Sequence, residues 1–359
     1  MKAIKPLIEA GLDQITSPTL NLIAEIDEFK GAWQLYRRLA ADRLNLLKRI
    51  ATIESVGSST RIEGARLSDE AVEALLSGVK LHSFRSRDEE EVGGYDALLR
   101  TIFEHYETIP FTENYIKQFH QILLQFSSKD VHHRGEYKKF PNHVEAFDPD
   151  GKPLGVVFET VSPFDTPRLM TELQEWMDEA LAEKDLHPLL IVGMFAVIFL
   201  AIHPFQDGNG RLSRALTTLL LLKLGYHYVP YSSLESIVET NKEKYYLALR
   251  RTQTTLRGAT PNFEPWFMFF LKSLQQQKNH LEVKLKREQI MFSALSELAA
   301  KIIELIQAHG KMPIAEILKL TGANRNTLKK QLADLVEKGY IIRHGKGRGT
   351  WYAIDLRGV

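Results

Sequence analysis

Apolar residues in the first part of the chain recur at helical spacing. Leu22, Ile26, Phe29 and Trp33, then Leu39, Leu46, Ile50 and Ile53, repeat at three-, four- and seven-residue steps. A short helix is predicted over residues 55–62, with Gly64 as its stop. Another starts near Ser68, whose hydroxyl can cap it, and runs through Leu76. The stretch TENYIKQFHQILLQF is amphipathic and carries a capping threonine, Thr112. Residues 135–166 break the rhythm. Phe140-Pro-Asn-His-Val144, a turn at Asp148-Pro-Asp-Gly151 and Val156-Val-Phe158 predict a small hairpin between Pro and Gly punctuation. Helices resume over 167–181 and 189–202, then over 212–224, 236–257 and 265–294.

The last 60 or so residues differ in character. Helices are predicted over 299–309, 313–320 and 324–338. Two short strands then flank a basic, Gly-rich turn in YIIRHGKGRGTWY. Three helices followed by a hairpin is the order of a winged helix-turn-helix. Between residues 301 and 359 there are 11 Lys and Arg against 5 Asp and Glu. Arg325, Lys329 and Lys330 accompany the apolar face Leu328, Leu332 and Leu335, and Arg343, Lys346 and Arg348 lie in the wing. DNA is therefore one partner to expect there; a protein-binding or purely structural role is the alternative.

Composition narrows the chemistry. Cysteine is absent, which removes disulfides, thiolate metal sites and thiol nucleophiles. A reducing, cytoplasmic setting is the expectation, and MKAIKPLIEAGLDQ has no apolar core of a secretory signal. The longest apolar run, 189–202, falls short of the roughly 20 residues that span a bilayer. The formal charge of +1 gives the whole molecule no strong electrostatic preference.

The chemistry concentrates in His203-Pro-Phe-Gln-Asp-Gly-Asn-Gly-Arg211, placed between two apolar helices. Pro204 stops the preceding helix and leaves His203 at its end. An imidazole with its usual pKa near 6.5 accepts a proton at neutral pH. Asp207 offers the hard oxygen ligand that Mg²⁺ prefers. Gly208 and Gly210 let backbone N–H groups approach a ligand, and the following helix start attracts anions. Arg211 and Arg214 are three apart and share a helix face. Guanidinium groups match phosphate oxygens. A base, a metal carboxylate, an anion nest and two arginines point to phosphoryl or nucleotidyl transfer.

HPFQDGNGRLSR resembles the active-site motif of the Fic family, His-Pro-Phe-x-Asp/Glu-Gly-Asn-Gly-Arg-x-x-Arg, without departure at any defined position. The resemblance extends over roughly residues 110–260. It implies a mainly α fold: a Fic-type helical core with a small β-hairpin flap, here with a C-terminal winged helix-turn-helix. The implied divisions are 1–109 for an N-terminal helical region, 110–260 for the core, 261–295 for a connector and 296–359 for the winged helix. The implied activity is transfer of AMP from ATP to a Tyr, Thr or Ser hydroxyl of a target protein. His203 would deprotonate that hydroxyl. Asp207 would hold Mg²⁺, with Mn²⁺ as a substitute, and Phe205 would anchor the loop. ATP would be bound by Glu63, His203, Phe205, Gln206, Asp207, Gly208, Asn209, Gly210, Arg211 and Arg214, with Asn241 and Tyr245 near base and ribose. Phe140, Asn142 and Val144 would form the flap that clamps the target. A related branch that transfers phosphate replaces the second loop glycine by a bulkier residue; Gly210 argues against it.

Upstream, Ser59-Thr-Arg-Ile-Glu63-Gly64 is similar to the family's inhibitory signature, Ser/Thr-x-x-x-Glu-Gly/Asn. Ser59, Glu63 and Gly64 would then form an inhibitory segment within residues 55–64, with Glu63 pairing Arg214 where the γ-phosphate belongs. Removal of AMP by the same residues, and a DNA-binding regulator whose core only senses nucleotide, are the competing functions. Self-modification and a homodimer remain open as partners; no membrane is implied.

Overall fold

The computed structural model of the chain describes residues 3–11, 15–36, 41–77, 84–147, 153–258, 260–293, 296–345 and 347–354. It is mainly helical and divides into two compact units. The first comprises residues 1–31 and 51–278, the second 32–50 and 279–359.

The first unit is built around α8 (Pro188–Ile202), in which every residue from Leu189 to Ile202 is buried. A helix apolar on all sides needs neighbours on all sides. These are α7 (Thr166–Glu183), α9 (Asn209–Lys223) and α11 (Lys242–Gln253). Around α9 pack α5 (Arg87–His105) and α6 (Glu113–Leu123). Thr112 caps α6 by accepting the Tyr115 N–H at 3.4 Å. The remaining helices of this unit are α1 (Ile4–Glu9), α4 (Asp69–Ser77) and α10 (Leu234–Thr240), while α2 (Ser17–Tyr36), α3 (Ala41–Ile62) and α12 (Glu264–Ser293) each have residues in both units. Strands β1 (His143–Phe147) and β2 (Pro153–Glu159) pair antiparallel, with Val144 opposite Phe158. The turn predicted at 148–151 lies outside the described residues.

Three expectations change. The helix predicted over 55–62 is the end of the continuous α3, which starts at Ala41. Its buried apolar positions are Leu44, Leu47, Ala51, Val56 and Ile62, whereas Leu46, Ile50 and Ile53 are only partly covered. Apolar residues lie on several sides of α3, so spacing alone does not select the inward one. The helix expected over 236–257 is two helices, α10 and α11, that meet at Asn241.

In the second unit, α13 (Glu297–His309), α14 (Ile314–Thr321) and α15 (Arg325–Glu337) enclose a core that includes Ile302, Ile306, Leu328, Leu332 and Leu335. A three-stranded sheet in the order β3-β5-β4 closes it: β3 (Met312–Pro313), β4 (Ile341–His344) and β5 (Trp351–Ile354). Among the described residues no helix is long and apolar enough to cross a membrane.

Candidate active site

The loop between α8 and α9 holds the candidate chemistry. His203 caps α8 with φ 54°, a left-handed conformation uncommon for a side-chain-bearing residue. Its Nδ1 lies 3.3 Å from the Leu200 carbonyl. Burial, with Lys138 nearby, brings the imidazole down to about 4, against the opposing fields of Glu63 and Asp207. At neutral pH it is therefore an uncharged base.

Phe205 is fully buried and roots the loop, stacked on His120 with 3.9 Å between ring centroids. Asn209, one of the residues expected around ATP, directs its side-chain amide to the loop itself. Its Oδ1 accepts the Phe205 N–H at 2.9 Å and its Nδ2 donates to the Phe205 carbonyl at 2.7 Å. This side chain closes the loop on itself. Gly208, with φ 78°, supplies the left-handed turn into α9.

Asp207 accepts the Gly208 N–H on Oδ1 at 2.6 Å and the Arg87 guanidinium on Oδ2 at 3.1 Å. Burial alone would raise this carboxyl, but Arg211, the Gly208 N–H and Arg87 together hold it below the usual range. Among the described residues no group of three or more His, Cys, Asp or Glu is arranged to hold a metal. A lone, partly exposed carboxylate fits a hard divalent ion that arrives with phosphate oxygens and water as its other ligands. On that chemistry Asp207 could hold such an ion.

Arg214 is buried in α9 and meets the upstream motif. Its Nε donates to Ser59 Oγ at 2.9 Å, and its Nη2 donates to the Ser59 carbonyl at 2.9 Å and to Glu63 Oε1 at 2.8 Å. Glu63 is the first residue beyond α3 and Gly64 follows with φ 108°. A Cβ on Gly210 would collide with Glu63 Oε1, so this carboxylate fills the space that the glycine leaves open. Tyr245 is buried in the fields of Arg214 and Glu63; its hydroxyl is raised by burial, with Arg214 opposing and Glu63 adding.

Arg211 is 2% exposed and turns toward Glu91 Oε2 (3.2 Å) and Asp207 Oδ1 (3.5 Å). Arg211 Nε and Arg214 Nη1 are buried and make no hydrogen bond among the described residues. Buried donors without partners are costly, and they suit an anion that is not part of the chain.

The remaining expected residues are dispersed. Gln206 is half-buried on the loop. Asn241 spends its amide on the Ile237 carbonyl at 3.0 Å, where α10 passes into α11, and no described hydrogen bond ties it to the loop. Phe140 is exposed and precedes β1, Val144 lies within β1, and the Asn142 side chain donates to the Phe205 carbonyl at 2.8 Å. Four residues escaped the sequence: Arg87, Glu91, His120 and Lys138. Only His120 left a trace, as a histidine on the buried face of α6 beside Ile116, Phe119 and Leu123. It accepts the Gly135 N–H on Nδ1 at 2.8 Å, so Nε2 carries the proton toward the Asp207 carbonyl at 3.0 Å.

A helical core with this loop between two buried helices defines a class, and comparison with known proteins identifies it. The sequence model of the Fic/DOC family matches residues 110–221. The protein adenylyltransferase Fic of Aedes aegypti is 27% identical over 208 residues, which cover 56% of this chain and 37% of that protein. That of Drosophila melanogaster is 27% identical over 209 residues, 58% of this chain and 38% of that protein. The chain thus spans less than two fifths of the length of these curated relatives. In fold, a Fic family protein from Desulfovibrio desulfuricans covers 95% of this chain and 97% of its own at a TM-score of 0.60 and 23% identity. Fic-1 of C. elegans (residues 134–508) covers 75% of this chain and 74% of its own at 0.55 and 20% identity. Residues 110–221 thus match the Fic/DOC family, and the chain shares the fold of these Fic proteins. A second model, that of a bacterial family of unknown function, matches residues 290–351.

Proposed function

We propose that this chain transfers AMP from ATP to a hydroxyl group of a protein, with Glu63 holding the site in check. Its curated relatives are named protein adenylyltransferases. One observation carries the reading: a carboxylate, Glu63, lies against Gly210 and on Arg214 at the start of α9, beside buried arginine donors without partners. The site is built for an anion and already holds one of its own. On this reading Arg211 and Arg214 take phosphate oxygens, and His203 accepts the proton of the attacking hydroxyl. Asp207 holds Mg²⁺, which neutralises phosphate charge when it is bound. Oriented groups in a partly dry site favour the reaction chiefly by positioning and charge stabilisation. The test is transfer of labelled AMP to the chain itself or to proteins of a lysate, by the parent and by Glu63→Gly. Label that appears with neither protein would end this reading.

The second unit is proposed as a winged helix-turn-helix that binds nucleic acid. Arg325, Asn326, Lys329 and Lys330 are exposed on α15, opposite the buried Leu328, Leu332 and Leu335, and Arg343 is exposed on β4. Lys346 lies outside the described residues. A phosphate-binding face loses affinity linearly in log salt. Binding of duplex DNA that is insensitive to salt, or unchanged in the triple variant R325A/K329A/K330A, would leave protein recognition as the role of this unit.

A further inference from the structure

Lys138 is 3% exposed, and its ammonium makes no ion pair among the described residues. Its three protons go to three uncharged oxygens: Asn142 Oδ1 at 2.8 Å, Thr160 Oγ1 at 2.9 Å and the Ile202 carbonyl at 3.0 Å. Its backbone N–H donates to the Pro204 carbonyl at 2.8 Å. Burying a charge without a counter-ion is unfavourable. Part of the cost is offset because Ile202 ends α8, where free carbonyls and the helix dipole favour a cation.

The positions of the partners give the arrangement its meaning. Ile202 and Pro204 flank His203, the loop residue with φ 54°. Asn142 directly precedes β1 and Thr160 directly follows β2. Thr160 also bonds Asn142, 2.5 Å from its carbonyl and 2.8 Å from Oδ1, and Asn142 Nδ2 reaches the Phe205 carbonyl at 2.8 Å. One residue therefore joins both ends of the hairpin, through its ammonium, to the backbone on both sides of the candidate base, through its ammonium at Ile202 and its backbone N–H at Pro204.

We infer that Lys138 is a positioning residue that couples the β1–β2 hairpin to His203, holding the imidazole in place and relaying displacement of the hairpin to it. The ammonium also faces the imidazole electrostatically: it opposes protonation of His203, whereas Glu63 from the end of α3 and Asp207 from the loop favour it. Burial itself brings Lys138 down to about 8. On the AMP-transfer reading the hairpin is where the target docks, and Lys138 links docking to the base.

The experiment is NMR of the histidine side chains in the full chain, with His203 assigned from His203→Ala. Lys138→Met should raise the His203 titration by about one unit, as expected when a nearby cation is removed. Lys138→Arg, which retains the charge, should restore it. Thr160→Val, at the hairpin end, should shift the His203 ring signals in the parent and shift them clearly less in Lys138→Met. Should Lys138→Met fold poorly, Asn142→Ala carries the same test, because it cuts the link from Lys138 to Phe205 and must move the same signals. A His203 titration identical in all variants, or a Thr160→Val shift equal in both backgrounds, overturns the inference. These measurements need neither ATP nor target, so their failure is separable from failure of AMP transfer. Where transfer is measured, Lys138→Met should lower kcat and leave KM for ATP unchanged; the reverse pattern counts against a positioning role.

Discussion

Arg87 and Asp207 form an ion pair at 3.1 Å, and the pair is one side of a closed ring of charges. Arg87 Nε also reaches Glu91 Oε1 at 2.8 Å, while Arg211 meets Glu91 Oε2 at 3.2 Å and Asp207 Oδ1 at 3.5 Å. Glu91 and Arg211 are buried, whereas the Arg87 side chain is 52% exposed. Arg87 is the loosest member, and it covers the carboxylate oxygen that a cation would approach. Removing an exposed ion-pair partner changes local energies modestly. Arg87→Gln should therefore tighten Mn²⁺ binding in the presence of a non-hydrolysable ATP analogue by a few-fold, up to about tenfold. Electron paramagnetic resonance of free and bound Mn²⁺ reads this directly, and weaker binding would mean that Arg87 helps to hold the ligand.

His203 should be required for transfer and tolerant of acid. General-base help is worth about 10²–10⁴-fold, so His203→Ala should fall by that factor while still binding ATP. Because burial and Lys138 hold the imidazole near 4, it remains unprotonated from pH 8 down to about pH 5. The rate should therefore show no acid limb near 6.5. A limb at that value would assign the proton acceptor to an ordinary, solvated group.

His120 and His203 also make stability depend on pH. Burial brings both folded-state values down to about 4, from 6.5 in an unfolded chain. Between those limits the unfolded chain binds protons that the folded one does not. Stability is therefore fully present above about 6.5 and is lost as pH falls toward 4. Each group contributes on the order of 1–3 kcal/mol over that window. Thermal melts at pH 7 and pH 5 should differ in the parent and differ less in His120→Gln. An equal loss in both would show that other groups dominate.

The legibility of this site followed its locality. His203, Asp207, Gly210, Arg211 and Arg214 lie within about 12 residues, and turn and helix-start chemistry reads at that range. The partners that fix them come from far away: Arg87 lies 120 residues from Asp207, His120 lies 87 from it, and Lys138 lies 64 from Ile202. Each of those side chains looks ordinary in its own neighbourhood, so only the packing of α5 and α6 on α9, and of the segment before β1 on the end of α8, reveals them. Asn209 has a local partner that its type does not disclose. Its type suits a phosphate ligand, and in the fold its amide exchanges hydrogen bonds with the Phe205 backbone. In the fold, the buried run of α8 was plain because it is apolar all round, while α3, apolar on several sides, hid its inward face.

The relation between Glu63 and Arg214 gives the most decisive prediction. Glu63 accepts from Arg214 Nη2 at 2.8 Å and fills the space above Gly210, so a phosphate arriving there meets a like charge and an occupied partner. Like charges a few Å apart in a partly dry site oppose each other. A nucleotide turned from the line of attack loses on the order of 10²-fold. Removing the carboxylate does not release Arg214 from its place, because Ser59 still accepts from Nε and Nη2 at 2.9 Å each. The freed guanidinium remains aimed at the site, and Glu63 lies past the last residue of α3, where glycine is tolerated. Glu63→Gly should therefore raise AMP transfer by at least about tenfold. Adding Arg214→Ala should abolish the gain, and Ser59→Ala should reduce it by loosening the arginine. Labelled AMP transfer by parent, single and double variants at equal ATP provides the measurement. An unchanged rate in Glu63→Gly would make the ion pair an ordinary helix-end contact. A rate that falls would instead give Glu63 a part in the chemistry, as expected of a residue that positions water for removal of AMP.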